Sequence, residues 1–168
     1  MEITYKTVES IEAYFQNKSP FPHLQLTSVK KVSGGLCNYV YRLYFNDKST
    51  RILKYFSKNV AFNEAPISQQ RYFVEKSSLA LLGPKVSTGS LKVPELLYSD
   101  DDAFLLIMED AGENLSTLMD LMQNTESKKV ELNTLGEIAK DIRNFSKAMS
   151  DRIKSLSMDD QVITSIID

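Results

Sequence analysis

A chain of 168 residues, 42% of them hydrophobic and 10% aromatic, can build one ordinary core or one lobe of a larger two-lobe protein, and disorder throughout is excluded. Its 20 Lys and Arg and 22 Asp and Glu are interspersed for a net charge of -2, so no basic face points to nucleic acid. One cysteine excludes an intramolecular disulfide framework, and neither a signal peptide nor a run of about 18 apolar residues is present, so a soluble, cytoplasmic setting is expected.

In chain order, residues 8–16 are weakly helical, with Ile11, Tyr14 and Phe15 on one side and Thr7 as the cap. Ser19-Pro20-Phe21-Pro22 breaks that helix. Residues 24–32 and 38–45 read as strands. A turn at Asn46-Asp47-Lys48-Ser49 leads to a third strand over 50–56, and the tight connections make the three antiparallel neighbours. Over 67–82 the period changes to 3.6, and Gly83-Pro84 is expected to stop the helix. Residues 93–98 and 104–109 form a further hairpin across the acidic turn of Asp100, Asp101 and Asp102. Helices are predicted over 115–123 and 135–156, the latter with an apolar stripe of Leu135, Ile138, Ile142, Phe145, Met149 and Ile153. The order predicts an α+β fold: a five-stranded antiparallel sheet with one helix inserted after the third strand.

Lys54 stands out on the third strand. It shares a face with Ile52 and Phe56, while Leu53 and Tyr55 take the other, so both faces are apolar. Either the lysine snorkels to water from an edge, or a partner offsets its desolvation. Glu75 lies among Tyr72, Leu79 and Leu82 at helical spacing, on the apolar stripe. It either borders that stripe in solvent or pairs with Lys54 and holds the ammonium towards bound phosphates. Ser33-Gly34-Gly35 lets backbone amides approach an anion closely, and is equally an ordinary hairpin turn. Met108-Glu109-Asp110-Ala111-Gly112 is either a connector with a functional backbone or a strand end followed by a helix cap.

Other chemistry-bearing residues have plainer roles. Cys37 has no neighbouring base and reads as a small apolar residue, and His23 as a structural or surface residue. The acidic turn at 100–102 reads as solvated, with no metal site. Tyr39, Tyr41, Tyr44, Tyr55 and Phe56 read as strand packing.

Five segments in order carry a family resemblance. Ser33-Gly34-Gly35-Leu36-Cys37-Asn38-Tyr39-Val40-Tyr41-Arg42 resembles the glycine-turn motif of the aminoglycoside phosphotransferase, choline kinase and methylthioribose kinase superfamily. Ile52-Leu53-Lys54 is similar to its phosphate-binding strand, and Arg71-Tyr72-Phe73-Val74-Glu75 to the helix whose Glu pairs with that lysine. Val93-Pro94-Glu95-Leu96-Leu97-Tyr98 and Leu105-Leu106-Ile107-Met108-Glu109-Asp110 resemble the last two strands of the N-terminal lobe and the hinge.

The resemblance implies a protein-kinase-like N-lobe over 25–110, preceded by a helical extension over 1–24 and followed by a hinge and the helical start of a C-lobe over 111–168. It implies ATP as cofactor, with magnesium where a C-lobe is supplied. Gly34, Gly35, Asn38, Lys54, Glu75, Glu109 and Ala111 are the implied nucleotide-binding residues. No catalytic residue carries over: the only histidine is His23, so no His-Gly-Asp or His-Arg-Asp loop exists in these residues. The expectation is the ATP-binding lobe of a small-molecule phosphotransferase, truncated before its catalytic loop and inactive alone. Its partners would be a nucleotide and either a C-lobe or a second copy meeting the exposed lobe face. The alternative is a non-catalytic interaction or regulatory protein built on such a lobe. A third reading, an α+β domain with an ordinary Gly-Gly turn, expects Lys54 and Glu75 to lie apart.

Overall fold

Thr7 opens helix α1 (Val8–Lys18) with a reciprocal cap: its hydroxyl accepts the Ser10 amide at 3.3 Å, and the Ser10 hydroxyl accepts the Thr7 amide at 3.2 Å. The helix runs two residues beyond the predicted end before Ser19 and the prolines stop it. The computed structural model describes residues 4–32, 38–58, 61–62, 65–86, 92–113 and 132–155. Gly34, Gly35, Cys37 and the helix expected over 115–123 lie outside the described residues, as do the side chains of Leu82, Leu135 and Ile153.

Strands β1 (Leu26–Val32), β2 (Tyr39–Phe45) and β3 (Thr50–Tyr55) form the expected antiparallel meander. A two-residue hairpin that the sequence did not signal, β4 (Ala61–Phe62) with β5 (Ala65–Pro66), precedes helix α2 (Arg71–Val86). Strands β6 (Leu96–Asp100) and β7 (Leu105–Glu109) follow, and β7 inserts between β3 and β6. The fold is α+β, with a five-stranded antiparallel sheet in the order β1-β2-β3-β7-β6.

Alternation divides the side chains between two faces. On one, Tyr41, Leu43, Phe45, Leu53, Tyr55, Leu105 and Ile107 are buried against Ile11 and Tyr14 of α1. On the other, Leu106, Met108 and Phe56 are buried against Tyr72 of α2, with Ile52 and Leu79 beside them. Helix α2 packs against β6 and against α3 (Leu132–Ser155).

The bounds of α2 depart from the sequence expectation at both ends. Residues 67–70 are tied back to β3 instead of being helical: the Gln69 amide side chain donates to the Phe56 carbonyl at 2.7 Å, and Ser68 accepts the Gln70 amide. At the other end the helix passes through Gly83-Pro84 to Val86. Proline lacks the amide that would bond the carbonyl four residues earlier, so the last turn continues with one ladder bond fewer.

Candidate functional site

Lys54 sits in the β3 ladder opposite Val40 of β2 and Leu106 of β7, on the face that α2 covers at its β6 end. Its ammonium pairs with the Glu75 carboxylate, and the two side chains are 25% and 30% exposed. The lysine is therefore neither a free edge residue nor a fully desolvated charge. Glu75 takes one of its three donors and leaves the ammonium held in place at the rim of the sheet face. The expectation that Lys54 and Glu75 lie apart does not survive this contact.

Arg71, one turn before Glu75, anchors the start of α2. Its Nη1 donates to the carbonyls of Ser68 (2.6 Å) and Ile67 (3.2 Å), and Nη2 to that of Ser57 (3.0 Å). Its Nε donates to the Asn38 Oδ1 at 3.1 Å, so Asn38 is fixed to the helix that carries Glu75. The sequence placed Arg71 only inside a motif. The i to i+4 spacing from Arg71 to Glu75 was the available signal, and it does not say which backbone the arginine grips.

At the far end of the face, the connector after β7 is held by β2. Arg42 grips Asp110 with both arms, Nε to Oδ2 at 2.6 Å and Nη2 to Oδ1 at 3.0 Å, and Nη2 also donates to the Gly112 carbonyl at 2.7 Å. Glu113 meets Arg42 at 3.2 Å and accepts the Tyr44 hydroxyl at 2.5 Å. Asp110 is almost wholly buried, 3% exposed. Burial alone would raise its pKa, but hydrogen bonds from Arg42 and the Gly112 amide outweigh that and hold it below the usual aspartate value. Gly112 takes φ +111°, a left-handed conformation suited to glycine at this bend.

The expected site residues thus fall into two groups. Lys54 and Glu75 touch, and Asn38 joins them through Arg71. Glu109 and Ala111 stand apart, lining a groove of about 630 Å³ with Thr50, Arg51 and Lys92. Glu109 lies opposite Arg51 in the β3–β7 ladder, three positions (about 10 Å along a strand) from Lys54, an odd offset that turns its side chain to the α1 face. Its carboxylate accepts the Glu95 amide at 3.0 Å, and its own amide donates to the Glu95 carbonyl at 3.0 Å. Between the two groups lie the half-buried Val40 and Ile52 and the buried Met108.

The acidic turn is not simply solvated. Asp100 is 6% exposed and belongs to β6. It accepts the Tyr14 hydroxyl at 2.7 Å, the Lys18 ammonium at 2.8 Å and the amides of Asp102 and Ala103. Burial would raise its pKa, and the bonds from Lys18 and Tyr14 bring it below the usual value. The Tyr14 hydroxyl is in turn pushed well above the normal tyrosine range, by burial first and then by its bonds to Tyr98 and Asp100. Asp101 takes Lys76 and the Tyr72 hydroxyl, both at 2.6 Å. These aspartates fasten α1 and α2 to the β6–β7 turn. Among the described residues no three His, Cys, Asp or Glu side chains gather as a metal site, and no helix is long and apolar enough to cross a membrane.

Compared with known protein families and with curated proteins, the chain matches none.

Proposed function

We propose that this chain is a nucleotide-binding lobe of protein-kinase-like architecture, of the aminoglycoside, choline and methylthioribose phosphotransferase type, working in the cytoplasm with ATP. The carrying observation is the Lys54–Glu75 pair beside an apolar sheet face bounded by Val40, Ile52 and Met108. A carboxylate-held lysine can neutralise phosphate oxygens without wandering, and an apolar strip next to it can receive the flat face of a base. Backbone groups past Glu109, where the β3–β7 ladder ends, are placed to meet the edge of a base.

The proposal covers binding and not transfer. No position in the sequence matches a catalytic His-Gly-Asp loop, so no catalytic step is assigned to this chain. Gly34 and Gly35 enter only through the sequence resemblance.

Titrating the protein with ATP while following backbone amide resonances tests the proposal. Shifts are expected at Asn38, Lys54 and Ala111, and Lys54→Ala should weaken binding by about tenfold or more, the loss expected for one charge-assisted contact. Unmoved resonances at millimolar ATP would overturn it.

The second reading, a non-catalytic interaction protein, draws on Phe73, Val74 and Ile142, which are 37%, 40% and 48% exposed. A monomer in sedimentation that retains no partner would remove that reading.

A further inference from the structure

Two charged posts stand at opposite corners of the same sheet face. One is Lys54–Glu75. The other is Arg42–Asp110, which the proposed function does not use. Arg42 lies opposite Ile52 in the β2–β3 ladder, one row beyond the Val40–Lys54 pair, and its guanidinium reaches past β3 to a carboxylate beyond the end of β7. Rows on one face of a strand are about 7 Å apart, so a ligand spanning both posts would lie over Val40 and Ile52.

Where the connector sits is not set by the sheet. The β3–β7 ladder ends at Arg51–Glu109, and the residues after it leave the strand. Most of the contacts that hold 110–113 come from side chains of β2: Arg42 on Asp110, Gly112 and Glu113, and Tyr44 on Glu113, with Thr50 of β3 also bonded to Asp110. Asp110 turns back within the same segment to accept the Gly112 amide at 2.9 Å, so one carboxylate couples the grip of Arg42 to the local bend. A bidentate guanidinium fixes both distance and plane, which a lysine could not do.

We propose that Arg42, acting through Asp110, is the positioning residue for the base end of the nucleotide site, and that it sets where the backbone of 109–111 meets the ligand. This rests on the nucleotide reading above. Arg42 touches the connector and not the base, so its loss should be felt by the base and not by the phosphates.

The test uses the full chain and two probes, adenosine and inorganic tripolyphosphate, each titrated against amide resonances. Arg42→Gln is expected to weaken adenosine by about tenfold while leaving tripolyphosphate within about twofold, and Lys54→Ala to do the reverse. Removing one partner of a buried pair can unfold a protein, so Asp110→Asn, which keeps the shape, and Arg42→Lys, which keeps the charge, are run beside it. Both should show the adenosine loss. The inference is overturned if all folded variants bind adenosine as the wild type does, or lose both probes equally. A wild type that binds tripolyphosphate but not adenosine overturns it while leaving the phosphate half of the nucleotide reading standing. A wild type that binds neither defeats both.

Discussion

The two faces of the sheet are built from the same strands and finished in different ways. On the α1 side, Tyr41, Leu43 and Leu53 are fully buried, and the rings of Tyr5, Tyr14, Phe15, Phe21 and Phe45 meet edge to face at 5.3–6.1 Å between centroids. On the α2 side the helix closes the β6 end, while Val32, Val40, Arg42, Ile52 and Lys54 stay half-buried. An aromatic-rich face sealed by a capped helix supplies stability. The other face buries Phe56, Leu106 and Met108 against α2 and keeps its charges and the half-buried Val32, Val40 and Ile52 beyond the helix.

If that division is right, truncations on the sealed face should damage folding and truncations on the open face should damage binding. The largest effect is expected from Leu53→Ala: deleting a fully buried leucine in this packed cluster should cost about 3 kcal/mol by urea unfolding. A cost under about 1 kcal/mol would show that the α1 face is not the core.

Asp100→Ala comes next, at about 2 kcal/mol, since it strands two turn amides and leaves the Tyr14 hydroxyl with Tyr98 alone. The same carboxylate gives a pH signature. Asp100 and Asp110 both have lowered folded pKa values, so their stabilisation is fully present above the unfolded aspartate value of about 3.9 and is lost as pH falls below it. The urea midpoint should therefore drop on the acid side of about pH 4, and Asp100→Asn should flatten part of that drop.

Smaller again, Thr7→Ala should cost about 1 kcal/mol by removing the α1 cap, and so tests whether α1 helps seal the face or merely rests on it. Smallest in stability is Lys54→Ala. Its partly exposed pair with Glu75 should contribute no more than about 0.5–1 kcal/mol, so a folded Lys54→Ala protein that no longer binds ATP would sharpen the contrast between the faces most cleanly.

Much of the frame was legible beforehand because it is local. The alternation of Tyr39 to Phe45 and Thr50 to Tyr55 signalled paired strands, Thr7 signalled a helix start, and the apolar stripe of α3 signalled a long helix. The Lys54–Glu75 pair was also within reach, since both residues interrupt apolar faces of consecutive elements. The limits of α2 were not, because Ser68, Gln69 and Arg71 form bonds to neighbouring backbone that a helical period cannot show, and because Gly83-Pro84 does not stop the chain. The acidic turn was misjudged for a related reason. Nothing near Asp100 marks it as buried, since its partners Tyr14 and Lys18 lie more than 80 residues earlier.

The sequence by itself determined most of the element types and the two-faced sheet, and it offered the Lys54–Glu75 pair as one of two readings, because periodicity, capping and turn chemistry act within a few residues. Only the tertiary structure decided that Asp100 is a buried tether, that Arg71 ties Asn38 to α2, and that Arg42 grips Asp110 across 68 positions. Those contacts depend on strand register and on which helix covers which face, and burial turns a charge that would be solvated in the isolated segment into one that must find a partner.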